Sequence, residues 1–237
     1  MKKLVLVCCA LVLALPAFAA VSVVQHNSNH SYADGSTVSC ALSSTGASRN
    51  IIVGAVSVDP VSAVADDRGN VYTAASGSHA INTAGLETEV WHSLGTVSGV
   101  TNITVTFGGS KGLKVCFAYE IAGPLTFDSA AKIDNGIPLA DGDPYRFKTC
   151  AGAAVTTSTA AGFVLAVVNV DPVAENPKNG TEFTSGGELA DENNASVSLV
   201  SSGLGSHQPV WRIDTHSTAA APGPAVTFVS SSASYKQ

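Results

Sequence analysis

The sequence has few charged side chains, no long hydrophobic run beyond its first fifteen residues and almost no helix signal. Charged residues make up 13% of the 237 residues, about half the usual share, and Ser, Thr, Ala, Gly and Val take their place. This composition is typical of exposed β structure that hydroxyl groups keep soluble. No later segment has the roughly twenty apolar residues that a spanning helix needs, so no membrane span is expected.

The first nineteen residues have the features of a secretory signal peptide. Two lysines precede an apolar run at residues 4–15, and small residues at Ala17 and Ala19 mark a cleavage site. The apolar run is too short to cross a membrane. We therefore expect residues 1–19 to be a signal peptide and residues 20–237 to form the mature protein, either periplasmic or secreted from the cell.

The mature chain is acidic. Without the two N-terminal lysines it has ten basic and eighteen acidic side chains, a net charge of −8. Nucleic acids and anionic lipids attract basic surfaces and are repelled by acidic ones. Nucleic acid is therefore not an expected partner.

Short strand patterns fill the sequence. Ile103, Val105 and Phe107 alternate with polar residues, which places them on one face of a strand. Residues 51–58 and 163–170 are nearly continuous apolar runs, which is typical of central strands covered on both faces. The sequence therefore predicts an all-β protein.

An internal repeat runs through the mature chain. Residues 56–61 (Val-Ser-Val-Asp-Pro-Val) recur as residues 168–173 (Val-Asn-Val-Asp-Pro-Val). Other landmarks keep their order in both copies, among them Trp91 and Trp211. The repetition predicts two related halves, each with five or six strands.

The two halves span about residues 37–123 and 149–235, with a connector at residues 124–148. The connector is rich in apolar and aromatic groups and does not resemble a flexible tether. We therefore predict one jelly-roll-like β-sandwich domain built from both halves. Two separate immunoglobulin-like domains are the alternative.

Three turn and strand landmarks resemble those of a known module. They are Asp-x-x-Gly-Asn-x-Tyr at residues 66–72, Val-Thr-Phe at 105–107 and Glu-x-x-Gly at 120–123. The chain resembles a family of secreted bacterial β-sandwich modules that also occurs in phage particles. The resemblance implies a β-sandwich in an extracellular setting, and it implies no catalytic residues.

Three cysteines remain after removal of the signal peptide: Cys40, Cys116 and Cys150. An oxidising compartment favours pairing, but an odd number leaves at least one thiol single. Cys40 and Cys150 lie near the start of equivalent strands in the two halves, so we predict a Cys40–Cys150 disulfide with Cys116 unpaired. The absence of any disulfide is the alternative.

Two sets of residues are candidates for ligand contact. Asp66, Asp67 and Asn70 concentrate oxygen ligands of the kind that Ca²⁺ takes, although a tight turn uses the same residue types. No cofactor other than calcium is expected. Trp91 and Trp211 could stack on a sugar, although equivalent placement in both halves also fits core packing.

Signatures of catalysis are missing. Neither Gly-x-Ser-x-Gly nor a cysteine-centred nucleophile motif occurs. Glycoside hydrolysis needs two facing carboxylates, but Glu87 and Glu89 are expected on a solvent-facing strand surface. Glu120 is expected to be a surface residue paired with Lys114. The chain is therefore not expected to be an enzyme.

These observations favour a secreted or surface-bound, non-catalytic binding or adhesion module, whose ligand would be a glycan or a protein. A self-assembling extracellular subunit is the second hypothesis, because residues 21–24 could add as a strand to the sheet of a neighbouring copy. A polysaccharide-acting hydrolase is the third, because sandwich folds can host such sites.

Overall fold

The computed structural model describes residues 21–31, 33–83, 85–110, 114–136, 139–140, 146–151, 153, 155–158, 162–170, 197–200, 205–207, 210–216 and 228–237. All regular elements in these ranges are β-strands, which confirms the all-β prediction. None of the residues described forms a helix that is long and apolar enough to span a membrane.

The strands are numbered in chain order. The first nine are β1 (Ser22–Ser31), β2 (Thr37–Ala41), β3 (Arg49–Ser57), β4 (Val61–Asp66), β5 (Thr73–Ala74), β6 (Ala80–Ile81), β7 (Glu87–Thr96), β8 (Asn102–Phe107) and β9 (Lys114–Ala122). The others are β10 (Thr126–Gly136), β11 (Leu139–Ala140), β12 (Arg146–Ala151), β13 (Val155–Thr157), β14 (Gly162–Val170), β15 (Val197–Val200), β16 (Gly205–His207), β17 (Val210–His216) and β18 (Phe228–Lys236).

Three antiparallel sheets carry the described core. Sheet A has the order β1-β9-β3-β7-β5, with β6 also paired to β7. Sheet B has the order β2-β8-β4, and sheet C has the order β10-β18-β14-β15. Two smaller sheets pair β12 with β11 and β17, and β13 with β16.

The inner strands of sheet A are covered on both faces. In β3, Ile51 and Val53 belong to the apolar cluster shared with sheet B, whereas Ile52 belongs to the cluster shared with sheet C. A side chain at Gly54 would collide with Val167 of β14, so this glycine lets sheet C approach closely. Because both of its faces are buried, β3 is apolar along nearly its whole length rather than alternating.

The cluster between sheets A and C contains residues from both predicted halves. The ring of Phe163 lies 6.3 Å from that of Tyr119 and 6.4 Å from that of Tyr235, measured between centroids. The pairing of β3 with β9 also has a counterpart in the pairing of β14 with β18. The jelly-roll topology and the two-fold repetition themselves stay predictions.

Strand β18 occupies the middle of sheet C. It pairs with β10 along one edge and with β14 along the other. Its serines are fully buried, and Ser231 Oγ donates a hydrogen bond of 2.8 Å to the carbonyl of Thr88 in sheet A. The hydroxyl groups of this serine-rich strand therefore join layers of the core, rather than serving solubility.

A disulfide joins sheets A and B, and it is not the predicted one. Cys40 of β2 bonds to Cys116 of β9, and both residues are fully buried. The predicted Cys40–Cys150 pair is therefore wrong, as is the unpaired Cys116. Cys116 and Ala118 lie on the face of β9 that packs against sheet B, and Cys40 belongs to the same apolar cluster. Cys150 lies in β12, whose side chains are outside the described residues.

Strand β1 closes the gap between the edges of sheets A and B. Its backbone pairs with β9, while alternate amide side chains donate to backbone carbonyls on or next to β2. These hydrogen bonds join Asn29 to Ser39, Asn27 to Ala41 and Gln25 to Ser43, each at 2.8 Å. The Oδ1 atoms of Asn27 and Asn29 accept from the backbone N–H groups of the residues that follow them. We call this set of amides the amide ladder.

Candidate functional site

A cleft opens where β3 begins and where β7 and β9 end. It is lined by residues 47–50, 94–95 and 123–125 and has a volume of about 630 Å³. Sites for small ligands commonly have volumes of roughly 300–1,000 Å³. We call this feature the Arg49 cleft.

Asn50 holds the walls of the Arg49 cleft together. Its side chain is buried, and Nδ2 donates to the carbonyl oxygens of Gly123 at 2.7 Å and Ile121 at 3.3 Å. Its Oδ1 accepts from the backbone N–H of Gly95 at 3.3 Å. One amide thus links the ends of β7 and β9 across the start of β3, so the geometry of the cleft is set by a buried residue.

Glu120 lies behind the cleft wall. The sequence predicted a surface residue paired with Lys114, but the Glu120 side chain is only 2% exposed and forms its ion pair with Arg49. Its oxygens accept from Gln25 Nε2 at 2.6 Å and from the backbone N–H of Gly46 at 2.9 Å. Glu120 therefore ties β9 to β1 and to the loop before β3.

The Arg49 guanidinium uses little of its hydrogen-bonding capacity. Its Nε lies 3.5 Å from Glu120 Oε1, an ion-pair distance, but makes no hydrogen bond. The side chain is 35% exposed, and no described residue accepts a hydrogen bond from its terminal nitrogens. An arginine has five N–H donors in a planar fork, so Arg49, one of the residues that line the cleft, has donors to spare.

A second polar site lies near the start of β4 and of β7. His79 Nε2 lies 2.7 Å from Glu87 Oε2, and Glu89 Oε2 accepts a hydrogen bond of 2.8 Å from Trp91 Nε1. The space among these side chains is too narrow for a water molecule. We call this feature the His79 crevice.

Glu87 and Glu89 share a strand face as expected, but that face is not a solvent surface. Glu87 is buried, and Glu89 is partly buried against the edge of sheet B. Burial raises the pKa of Glu89, while the hydrogen bond from Trp91 and the nearby His79 act in the opposite direction. The carboxyl of Glu89 therefore favours its neutral form more than an exposed glutamate does.

Asp66 and its neighbours form a turn whose oxygens are already engaged. Asp66 accepts from the backbone N–H groups of Arg68 and Asn70, from Asn70 Nδ2 at 2.7 Å and from Tyr72 Oη at 3.0 Å. Burial raises its pKa, but these hydrogen bonds outweigh burial and hold the pKa below its usual value. The Asp-x-x-Gly-Asn-x-Tyr motif at residues 66–72 is thus a turn folded around the carboxylate of Asp66.

The calcium hypothesis gains no support from this geometry. Asp67 accepts from Thr101 Oγ1 at 2.6 Å and from its backbone N–H, and Asn70 Oδ1 accepts from the N–H of Val97. A cation at Asp66, Asp67 and Asn70 would have to displace these donors. Over the described ranges, no three acidic, histidine or cysteine side chains are arranged to hold a metal ion.

The two tryptophans differ in what the structure describes. Trp91 is half-buried, packs against the cluster between sheets A and B, and uses its indole N–H for Glu89. This position fits the core-packing alternative better than a sugar platform. Trp211 lies in β17, whose side chains are outside the described residues.

The Arg49 cleft is not among the sites that the sequence patterns predict. A local signal exists, because two polar residues, Arg49 and Asn50, directly precede the buried run of β3. Their partners Gly95, Glu120 and Gly123 are far away in the chain, so only the strand order brings the site together.

Comparisons with protein-family models, with curated proteins and with solved structures found no match for this chain.

Proposed function

We propose that the chain is an exported, non-catalytic binding or adhesion module that holds its ligand in the Arg49 cleft. The observation that carries the proposal is a cleft of ligand size whose walls are fixed by the buried Asn50. A pre-formed site binds without the entropy cost of ordering its loops. Binding sites are commonly built in this way, from loops held by a rigid scaffold.

Two features support export. The first nineteen residues have the pattern of a signal peptide. The buried Cys40–Cys116 bond is of the kind that forms and persists in oxidising compartments. A periplasmic or extracellular location agrees with both.

The His79 crevice supports a binding role over hydrolysis. A glycosidase needs two carboxyl groups on either side of the bond that it breaks, with room for the sugar between them. Glu87 and Glu89 project from one strand into a crevice that is too narrow for a water molecule. A hydrolase would need this crevice to open, and the described packing of Glu87 and Trp91 opposes that.

Self-assembly is the second candidate, because β1 lies at the edge of sheet A. Residues 21–24 do not project freely, since Ser22 and Val23 pair with β9 of the same chain. Assembly would therefore require exchange of β1 between copies. The amide ladder works against simple addition of a further strand, because it occupies two of the edge N–H groups of β1.

A glycan array with the chain expressed from residue 20 tests the binding proposal. Ala47 is an exposed residue of the cleft, and Ala47→Trp should abolish retention by filling it. Ala65→Trp places the same side chain on the exposed face of β4 and should change nothing. Retention that survives Ala47→Trp, or an array with no retained glycan, would refute the proposal. A mass that rises with concentration and falls on deleting residues 20–31 would favour assembly.

A further inference from the structure

We infer that the ligand of the Arg49 cleft is a carboxylate-bearing glycan, whose carboxylate binds the guanidinium of Arg49. The inference rests on the proposed binding function and names the ligand class for the same cleft. It starts from the unused donors of Arg49 and from the surfaces beside them.

Arg49 has a partner that neutralises its charge without using its donors. The two oxygens of Glu120 already accept hydrogen bonds from Gln25 and Gly46, and the Arg49 contact with Glu120 is long. The exposed edge of the guanidinium is therefore open to another acceptor. Arginine forks match the two oxygens of a carboxylate, and such charge-assisted pairs are stronger than neutral hydrogen bonds.

The charge of the surroundings favours a ligand with isolated negative charges. Arg49 is the one cationic residue among those that line the cleft. The whole chain has a formal net charge of −6, and such a protein repels densely charged polyanions. A single carboxylate on an otherwise neutral molecule meets the arginine without that penalty.

The remaining lining fits a sugar ring better than a peptide. Leu94, Pro124 and Leu125 give an apolar wall, and Arg49 is the charged residue among the lining. A pyranose has an apolar C–H face that matches the apolar wall, and the carboxylate of an acidic sugar supplies the acceptor for Arg49. Extended peptides that bind by strand addition pair with a strand edge, whereas this cleft lies at strand ends.

The first experiment is an array that carries uronate- and sialate-bearing glycans beside their carboxyl-reduced counterparts, with sulfated glycans and carboxyl-terminal peptides as further probes. We expect retention of carboxylated glycans, and a loss of about tenfold or more in affinity on carboxyl reduction, because a hydrogen-bonded charge pair is removed. Equal retention of the reduced glycans, or preferential retention of sulfated glycans or peptides, would overturn the inference.

The second experiment changes Arg49 without leaving a buried charge. Arg49→Gln alone would leave the buried carboxylate of Glu120 without its ion-pair partner. The informative variant is therefore Arg49→Gln combined with Glu120→Gln. Arg68→Gln removes the same charge at an exposed turn outside the cleft and serves as the matched control. The double variant should lose affinity for carboxylated glycans about tenfold or more, whereas Arg68→Gln should keep it.

A third variant tests the inference if the double variant does not fold. Arg49→Lys retains the charge but lacks the planar fork, so we expect folded protein with weakened binding. The near-UV circular dichroism of each variant reports whether its core is intact. Full binding by a folded double variant would overturn the inference. If Ala47→Trp still blocked that binding, the cleft would remain the site and only the assignment of the ligand class would fail.

Discussion

The Cys40–Cys116 disulfide should be the largest single covalent contribution to stability in the described core. The two cysteines are 76 positions apart in the sequence, so the bond closes a long loop in the unfolded chain. The chain-entropy relation for a loop of this size gives about 4.5 kcal/mol. Cys40→Ala combined with Cys116→Ala should therefore lower the free energy of unfolding by about that amount. The loss of packing by the two buried sulfur atoms should lower it slightly further.

Urea denaturation followed by tryptophan fluorescence measures this loss. In thermal unfolding of a chain of this length, a loss of about 4.5 kcal/mol corresponds to a fall of roughly 10–15 °C in Tm. The denaturant slope m should rise, because the unfolded chain without the cross-link exposes more surface. Cys150→Ala removes the third cysteine and should have no comparable effect.

Peptide mapping identifies the bond directly. The unfolded, unreduced chain expressed from residue 20 should take up an alkylating reagent at Cys150 alone. A label on Cys116 would restore the pairing of Cys40 with Cys150, and labels on all three cysteines would exclude any bridge. A loss of stability in Cys150→Ala equal to that of the double variant would also refute the assignment.

Two further predictions concern carboxylates. Asp66→Asn should lower the free energy of unfolding by about 2 kcal/mol at neutral pH, because the new amide NH₂ opposes donors that now converge on a carboxylate. The pKa of Asp66 is lowered in the folded chain, so the wild-type chain loses this stabilisation as pH falls into the acid range. Millimolar calcium should leave the urea midpoint of the wild-type chain unchanged. A midpoint that rises with calcium would revive the calcium site. Glu89 has a raised pKa in the folded chain, so its ionisation penalises folding as pH rises above the unfolded value near 4.5. Glu89→Gln should therefore match the wild-type urea midpoint at pH 4 and exceed it at pH 7, and equal midpoints at both pH values would contradict a raised pKa for Glu89.

The strands could be predicted from the sequence because their patterns are local. Ile103, Val105 and Phe107 face the core from β8, as their alternation predicts. Both apolar runs are strands, at β3 and β14. Alternation, however, separates two faces without telling which of them is covered.

The errors at Glu87, Cys116 and Glu120 have one physical cause. Each residue lies on the face of sheet A that meets sheet B. In a two-layer sandwich one face of a strand is solvated, and a polar residue indicates that face. The inner strands of sheet A have no such face, so a polar or charged residue there is buried and needs a partner from a distant strand. Sequence patterns do not identify that partner.

The position of strand β18 limits the order in which sheet C can form. It separates β10 from β14, and it follows β14 in the chain by more than fifty residues. Because the chain emerges from its N-terminus, β10 and β14 appear long before the strand that joins them. Until then, the two strands present unpaired edges beside the apolar surface of sheet A. Sheet C consequently forms only after residues 228–236 emerge, and a chain that stopped before them would display exposed strand edges of the kind that chaperones bind.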